Sequence, residues 1–197
     1  MRIRSWRFAA ITLITVLLSV TTGQAADPLR IGIYENPPLS SLANGEKPEG
    51  FFVDIINQIA QEEDWQLNFV SCEFADCLDQ LEINSLDLVG VVAQSPERSK
   101  RIAYHRESVL SNWGVIYSSP AHQISSFSDL AGLKVAALED DIYLEGYREL
   151  SGSFQLQTEL VIKGSYQEVL SALSEGEVDA AILNRFFGAQ SRDSDII

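Results

Sequence analysis

Two stretches of the sequence predict the same order of elements, and this repetition restricts the possible folds more than any other feature. Residues 29–93 predict strand, helix, strand, helix, strand, and residues 134–183 predict that order again. A strand–helix–strand unit requires a right-handed crossover, so each stretch should form a mostly parallel sheet. We therefore expect an α/β protein with two similar lobes and a cleft between them, where ligand sites tend to lie.

The periodicity of apolar residues supports the predicted strands and helices in both stretches. Helical spacing recurs at 52–60 and 74–81, between strands predicted at 29–34, 66–71 and 86–93. The second stretch predicts strands at 134–138, 156–162 and 178–183, and helices at 141–150 and 165–176. Residues 77–89 align with 169–181, which matches Asp87 to Asp179 and the turn residue Asn84 to Gly176. Any α/β crossover gives a similar alignment, so the matched order is the stronger argument.

The first 25 residues have the composition of a secretory signal peptide. Three arginines precede an apolar run of 13 residues from Phe8 to Val20, and small residues allow cleavage before Ala26. That run is shorter than the roughly 20 residues that span a bilayer comfortably. We expect a periplasmic protein, with an uncleaved membrane anchor as the alternative.

Composition excludes several kinds of function. The chain has 28 acidic and 14 basic residues, a formal charge of -14, which disfavours nucleic acids and anionic lipid surfaces as partners. With only two histidines and no nucleophile, phosphate-loop or metal motif, the sequence predicts no metal site, no cofactor and no enzyme. Cys72 and Cys77 either form a disulfide, as an oxidising compartment favours, or Cys77 is a buried helix residue and Cys72 a free thiol.

The segment 95–107 concentrates positive charge in this acidic chain. Ser95 and Pro96 predict a helix start, which puts Arg98 in the first turn, where a cation opposes the helix dipole. Such a placement suggests that Arg98 binds an anion, whereas a pairing with Glu97 or another acid is the simpler alternative. The remaining cations are expected to face solvent or pair with acids: Lys100, Arg101 and Arg106.

Five motifs occur in the order of a known family: LRIGIYENPP, GEKPEGFFVDIINQIA, LDLVGVVAQSPERSKRIAY, SFSDLAGLKVAAL and ALSEGEVDAAI. Over about residues 29–190 they resemble the bacterial extracellular solute-binding proteins of family 3. The resemblance implies a periplasmic-binding-protein fold of type II. After the signal peptide at 1–25 we expect an incomplete lobe 1 at 26–117, lobe 2 at 118–190, and a tail or the start of a missing return segment at 191–197. YENPP, RESVLSNWGVIYSS and NRFFG are most similar to the sensor version in histidine kinases and diguanylate cyclases.

The resemblance also implies a set of ligand-binding residues in lobe 1. Arg98 matches the arginine that clamps the α-carboxylate in amino-acid binders, with Ser95 in place of the family's threonine. The loop after the first strand that lines the cleft matches Tyr34, Glu35 and Asn36. Backbone near Val92, before Arg98, matches another ligand-facing segment.

In lobe 2 the matched positions depart from the family. The helix start that donates to the carboxylate falls on Asp140 and Asp141, where two acids would repel an anion. The acid that takes the ligand ammonium falls on Asn184, which is neutral. The resemblance therefore implies an unusual amino acid, another small acid, or a cation-bearing compound recognised differently.

The family's chain returns to complete lobe 1, whereas this sequence stops soon after the last strand of lobe 2. We expect a C-terminally truncated chain with an incomplete first lobe. The expected function is solute binding or sensing, for transport with an inner-membrane permease or for signalling with a signalling domain. The alternatives are a periplasmic enzyme on the same fold, similar to cyclohexadienyl dehydratases, and a non-functional remnant.

Overall fold

Two β-sheets, each covered by helices, form the two lobes of the protein. The computed structural model describes residues 27–44 and 47–190, so the predicted signal peptide and the tail at 191–197 lie outside the described residues. Within lobe 1 the elements are β1 (Leu29–Ile33), β2 (Ser41–Ala43), β3 (Lys47–Glu49), α1 (Phe51–Glu62), β4 (Leu67–Ser71), α2 (Phe74–Glu82) and β5 (Leu88–Val89). Lobe 2 contains β6 (Gly114–Ser118), β7 (Lys134–Leu138), α3 (Ile142–Phe154), β8 (Glu159–Lys163), α4 (Tyr166–Ser174), β9 (Ala180–Asn184) and α5 (Arg185–Gln190).

The sheet of lobe 1 is parallel, in the order β4-β1-β5, as the alternation of strands and helices predicts. In α1, Val53, Ile56 and Ala60 are buried because their spacing of three and four residues places them on one helix face. The short antiparallel pair β2–β3 lies in a segment for which the sequence predicts only turns.

The sheet of lobe 2 has the order β6-β9-β7-β8, and only β6 runs antiparallel to its neighbour. The predicted order strand, helix, strand, helix, strand is confirmed for β7 to β9. All five residues of β6 pair with β9, so sheet membership divides the lobes before Gly114. The expected boundary at 117/118 would cut through this strand.

The same hydrogen bond, from a backbone N–H to an Asp carboxylate, occurs at the aligned positions of the two lobes. The Asp87 carboxylate accepts from the backbone N–H of Arg30 at 2.8 Å, and the Asp179 carboxylate accepts from that of Lys134 at the same distance. The aligned turn residues, Asn84 and Gly176, both have left-handed backbone conformations, at φ 58° and 74°. The predicted internal repeat is thus present in the backbone as well as in the sequence.

Two local predictions are wrong in extent. In the apolar run at 86–93 only Leu88–Val89 is a strand, because Val91 at φ 54° turns the chain. The helix predicted from Ser95 is a single 3-10 turn, Arg98–Lys100, although the Ser95 hydroxyl does accept from the Arg98 N–H at 3.2 Å, as a capping residue should.

One apolar cluster runs from lobe 1 into lobe 2. Tyr34, Phe74 and Leu86 of lobe 1 belong to the same buried cluster as Tyr166 and Phe187 of lobe 2.

Cys72 and Cys77 form a disulfide at a Cα–Cα distance of 5.4 Å, so the alternative of a free thiol at Cys72 is wrong. No helix within the described residues is long and apolar enough to cross a membrane.

Candidate functional site

Arg98 lies where the two lobes meet. Its side chain is 6% exposed, and its guanidinium donates to the Ala93 carbonyl in lobe 1 at 3.0 Å and to the Asp140 carbonyl in lobe 2. The guanidinium also lies over the Phe74 ring, 5.5 Å from its centroid. No carboxylate of the described residues forms a salt bridge with Arg98, so its pairing with Glu97 is not observed; Glu97 pairs with Lys100 instead.

Burial sets Arg98 and Asp141 apart from the other charged residues. Among the described Asp, Glu, Lys and Arg side chains, these two alone are buried, Asp141 at 5% exposed. A buried charge is costly unless hydrogen bonds or an opposite charge compensate it. Two opposite charges buried on facing lobes therefore make this junction the candidate functional site.

Asp141 is placed by the start of α3, where it is the N-cap. One carboxylate oxygen, Oδ1, accepts from the Tyr143 N–H at 3.4 Å, and the other, Oδ2, accepts from the buried Tyr166 hydroxyl at 2.6 Å. Burial raises the pKa of Asp141 to about 6, although its hydrogen bonds and Arg98 oppose this. The neighbouring Asp140 is exposed, so one acid, not two, faces the interior at this position.

A buried polar network continues from Asp141 across the two lobes. Tyr166 is also hydrogen-bonded to the side chain of Asn184, and Asn184 Nδ2 donates to Asn36 Oδ1 at 2.8 Å. In lobe 1, Asn36 Nδ2 donates to the Tyr34 hydroxyl at 3.2 Å, and that hydroxyl donates to the Val91 carbonyl at 2.8 Å. A network of this kind fixes the relative positions of the side chains in it.

The backbone is unusual on both sides of this network. Val91 and Asp140 have φ values of 54°, in the left-handed region that β-branched residues such as Val rarely occupy. The carbonyl of Val91 accepts from Tyr34, and that of Asp140 accepts from Arg98. Local strain at Val91 therefore accompanies the contact of its carbonyl with Tyr34, whereas an Asp at residue 140 tolerates the left-handed conformation.

The structure brings together five of the seven predicted ligand-binding residues: Tyr34, Asn36, Arg98, Asp141 and Asn184. Glu35 is exposed, and its carboxylate accepts from the Leu42 N–H of β2 at 2.8 Å. Val92 is half-buried and packs against the apolar cluster, while the carbonyls on either side of it contact Tyr34 and Arg98. The other cations of the segment behave as expected: Lys100 pairs with Glu97, and Arg101 pairs with Asp79 and Glu82.

Sequence reasoning missed two residues of the site. Tyr166 is the first residue of α4, after the N-cap Ser165, and Phe74 lies on the apolar face predicted at 74–81, so neither position signals a site by itself. Both are buried, and Phe74 lies 4.9 Å from the Tyr34 ring. The disulfide closes the short loop that carries Phe74, so the bond helps to hold this ring beneath Arg98.

A shallow apolar pocket lies elsewhere, on lobe 1 between β1 and α1. Its lining includes Ile31, Phe52 and Phe69 and no charged side chain. The buried charged and hydrogen-bonding groups lie instead in the network between the lobes, so we take that network as the candidate site. Within the described residues, no group of His, Cys, Asp and Glu side chains could hold a metal ion.

Comparisons with known proteins agree with this architecture. PatH of Vibrio harveyi, named as a candidate amino-acid ABC transporter-binding protein, is 21% identical over 92% of this chain and 71% of its own length. An ancestral arginine-binding protein bound to arginine superposes with a TM-score of 0.76 at 19% identity, over 88% of this chain and 78% of that one. A histidine kinase sensor domain with similarity to periplasmic binding proteins gives 0.74 at 19% identity, over 88% and 76%.

These structural likenesses establish the α/β fold of type II periplasmic binding proteins. The family model of the bacterial extracellular solute-binding proteins, family 3, matches residues 29–127, which cover β1 through the segment after β6. That range contains Tyr34, Asn36 and Arg98, the lobe 1 half of the network. The chain therefore belongs to the bacterial extracellular solute-binding proteins, family 3.

Proposed function

We propose that this protein binds a small polar solute that carries a carboxylate, in the cleft between the lobes, without catalysing a reaction. The burial of Arg98 is the observation that carries the proposal. Its guanidinium has five N–H donors, and the hydrogen bonds described above use two of its nitrogens, both with neutral carbonyls. A solute carboxylate would supply the compensating negative charge and accept in the paired geometry that guanidinium groups favour.

The relatives support a role in uptake or sensing. PatH is named for amino-acid transport, and the sensor domain belongs to a histidine kinase. We propose that the solute is amino-acid-like or a small carboxylate, and that the partner is an inner-membrane permease or a signalling domain. A periplasmic location agrees with the extracellular family and with the predicted signal peptide.

Isothermal titration with the natural L-amino acids and with lactate, propionate and succinate tests the proposal. We expect at least one to bind the wild-type protein. Arg98→Met keeps an apolar stem over Phe74 but removes the charge, and it should weaken binding by about 1.5–3 kcal/mol, or roughly 10- to 150-fold.

Arg101→Met is the matched control, because Arg101 is half-exposed and pairs only with surface acids in the structure. It should bind as the wild type does. Thermal melts without solute establish that both variants fold. Binding that Arg98→Met leaves unchanged would disprove the role of Arg98 as anchor, and an absence of binding by the wild type would disprove the function.

A further inference from the structure

The acceptor capacity of Asn184 is already used within lobe 2. Its Oδ1 accepts from the backbone N–H groups of Phe186 and Phe187, at 3.1 and 3.0 Å. An amide oxygen has two lone pairs, so both are engaged. Asn184 is also 1% exposed, and its Nδ2 is directed to Asn36. Asn184 thus caps α5 and joins the lobes, but it offers no acceptor to a cationic group of a solute.

Asp141 has a free hydrogen-bond acceptor position, which Asn184 lacks. A carboxylate has about four lone-pair positions, and hydrogen bonds from the Tyr143 and Ile142 N–H groups and from the Tyr166 hydroxyl leave about one of them open. The Tyr143 bond, at 3.4 Å, is long and weak. Since Asp141 is the one buried acid among the described residues, it is the strongest acceptor in the network.

Arg98 and Asp141 also lie close enough to interact without pairing directly. The Arg98 charge lowers the pKa of Asp141, yet no salt bridge joins them in the described part of the chain. Arg98 donates instead to the backbone carbonyl of Asp140, the residue before Asp141. A solute with both a carboxylate and an ammonium could therefore face one opposite charge at each end.

We propose that the Asp141 carboxylate, fixed by the Tyr166 hydroxyl, holds the cationic group of the solute. The proposal rests on the function proposed above and narrows its solute class to zwitterions such as α-amino acids. In this chain the position that the family resemblance assigns to the ammonium, residue 184, has become a lobe-to-lobe contact. The cation-binding role has moved to the start of α3.

Titration of matched pairs of compounds tests this assignment: alanine with propionate, glutamine with glutaramate, and aspartate with succinate. Each pair differs only in the ammonium group. The wild type should bind the amino acid of a pair more tightly, and Asp141→Asn should weaken that binding by roughly 10- to 100-fold. The binding of the des-amino compound should change little. Asn still caps α3, so the variant should fold.

Glu149→Gln is the control, since Glu149 is an exposed acid on the same helix, α3, and takes part in none of the contacts of the site. It should bind as the wild type does.

A pH series adds a second measurement, which would show no change if Asp141 had only a structural role. The groups that face Asp141 are Arg98, Tyr34 after β1, Tyr166 of α4 and Tyr143 of α3. Lowering the pH through about 6 should weaken amino-acid binding in the wild type but not in Asp141→Asn.

The outcomes separate the two proposals. Amino-acid binding that depends on Arg98 but is unchanged in Asp141→Asn would overturn the role of Asp141 and leave the proposed function standing. Equal wild-type affinity for both members of every pair would do the same. If no amino acid and no carboxylate binds the wild type, both proposals fail.

Discussion

Asp141, the residue proposed to bind the cationic group of the solute, also carries a cost to folding. Its carboxylate is buried, and its pKa is raised from 3.8 to about 6 mainly because burial disfavours the charged form. In the unfolded chain the group returns to its ordinary pKa. The folded state therefore holds a proton more tightly than the unfolded state between about pH 4 and 6.

The sign of the pH dependence follows from this difference. Above pH 6 the ionised carboxylate destabilises the fold by about 3 kcal/mol, at 1.36 kcal/mol per pKa unit, and this cost disappears as the pH falls below about 4. Chemical denaturation of the wild type and Asp141→Asn at several pH values measures the effect. We expect the stability of the variant relative to the wild type to fall by about that amount between neutral pH and about pH 4.

Parallel curves for the two proteins would show that Asp141 titrates normally. Glu149→Gln again serves as the control, because it removes an exposed acid of α3 and leaves the Asp141 carboxylate in place.

At the scale of elements, α5 is held to the sheet of lobe 2 by close packing. A Cβ built on Gly188 would lie 2.3–2.4 Å from the Tyr117 ring, a contact that cannot be accommodated without movement. The absence of a side chain at residue 188 therefore lets α5 approach β6, and this sets the position of Asn184 at the junction of β9 and α5.

Two Gly→Ala substitutions in helices test this packing: one would clash with a neighbour, and the other would change only the helix propensity. Gly188→Ala should lower the unfolding free energy by about 1–3 kcal/mol through overpacking against Tyr117. Gly146→Ala in α3 has no atom within 4 Å of the new Cβ and should raise stability by about 0.5–1 kcal/mol. Denaturant titrations measure the unfolding free energy of both variants. If Gly188→Ala is more stable than the wild type, α5 does not pack against β6 as closely as described.

The sequence predicted the helices and most strands because their apolar periods are strong. It missed the pair β2–β3 because strands of three residues are too short to show an alternation of apolar and polar residues. It overextended β5 because the apolar run continues through Val91, whose side chain packs against the core although its backbone turns. Arg98 could be found from its position, whereas the roles of Tyr166 and Asn184 depend on contacts between distant segments.

For the whole molecule, the Asn36–Asn184 hydrogen bond joins the lobes at a buried position. A double-mutant cycle with Asn36→Ala and Asn184→Ala should give a coupling energy of about 0.5–1.5 kcal/mol in the unfolding free energy. Asn184→Ala alone would lose both this bond and the cap of α5. The cycle isolates the energy of the bond, because the loss of the cap is the same with and without Asn36.

Asn36→Ala combined with Asp129→Ala provides the control pair. Asp129 caps a 3-10 turn of lobe 2, where it accepts from the N–H groups of Ser125 and Ser126. These two substitutions should be additive. If the Asn36–Asn184 pair is additive as well, the bond does not contribute to holding the lobes together.

The hydrogen bond from Arg98 to the Asp140 carbonyl has a consequence for how affinity is set. A solute carboxylate that took the guanidinium nitrogen bonded to residue 140 would displace that carbonyl, so part of its binding energy would replace a contact that the protein already makes. The net affinity is then a difference between two similar interactions. Substitutions near residue 140 that shift this carbonyl should tune solute affinity without touching the solute.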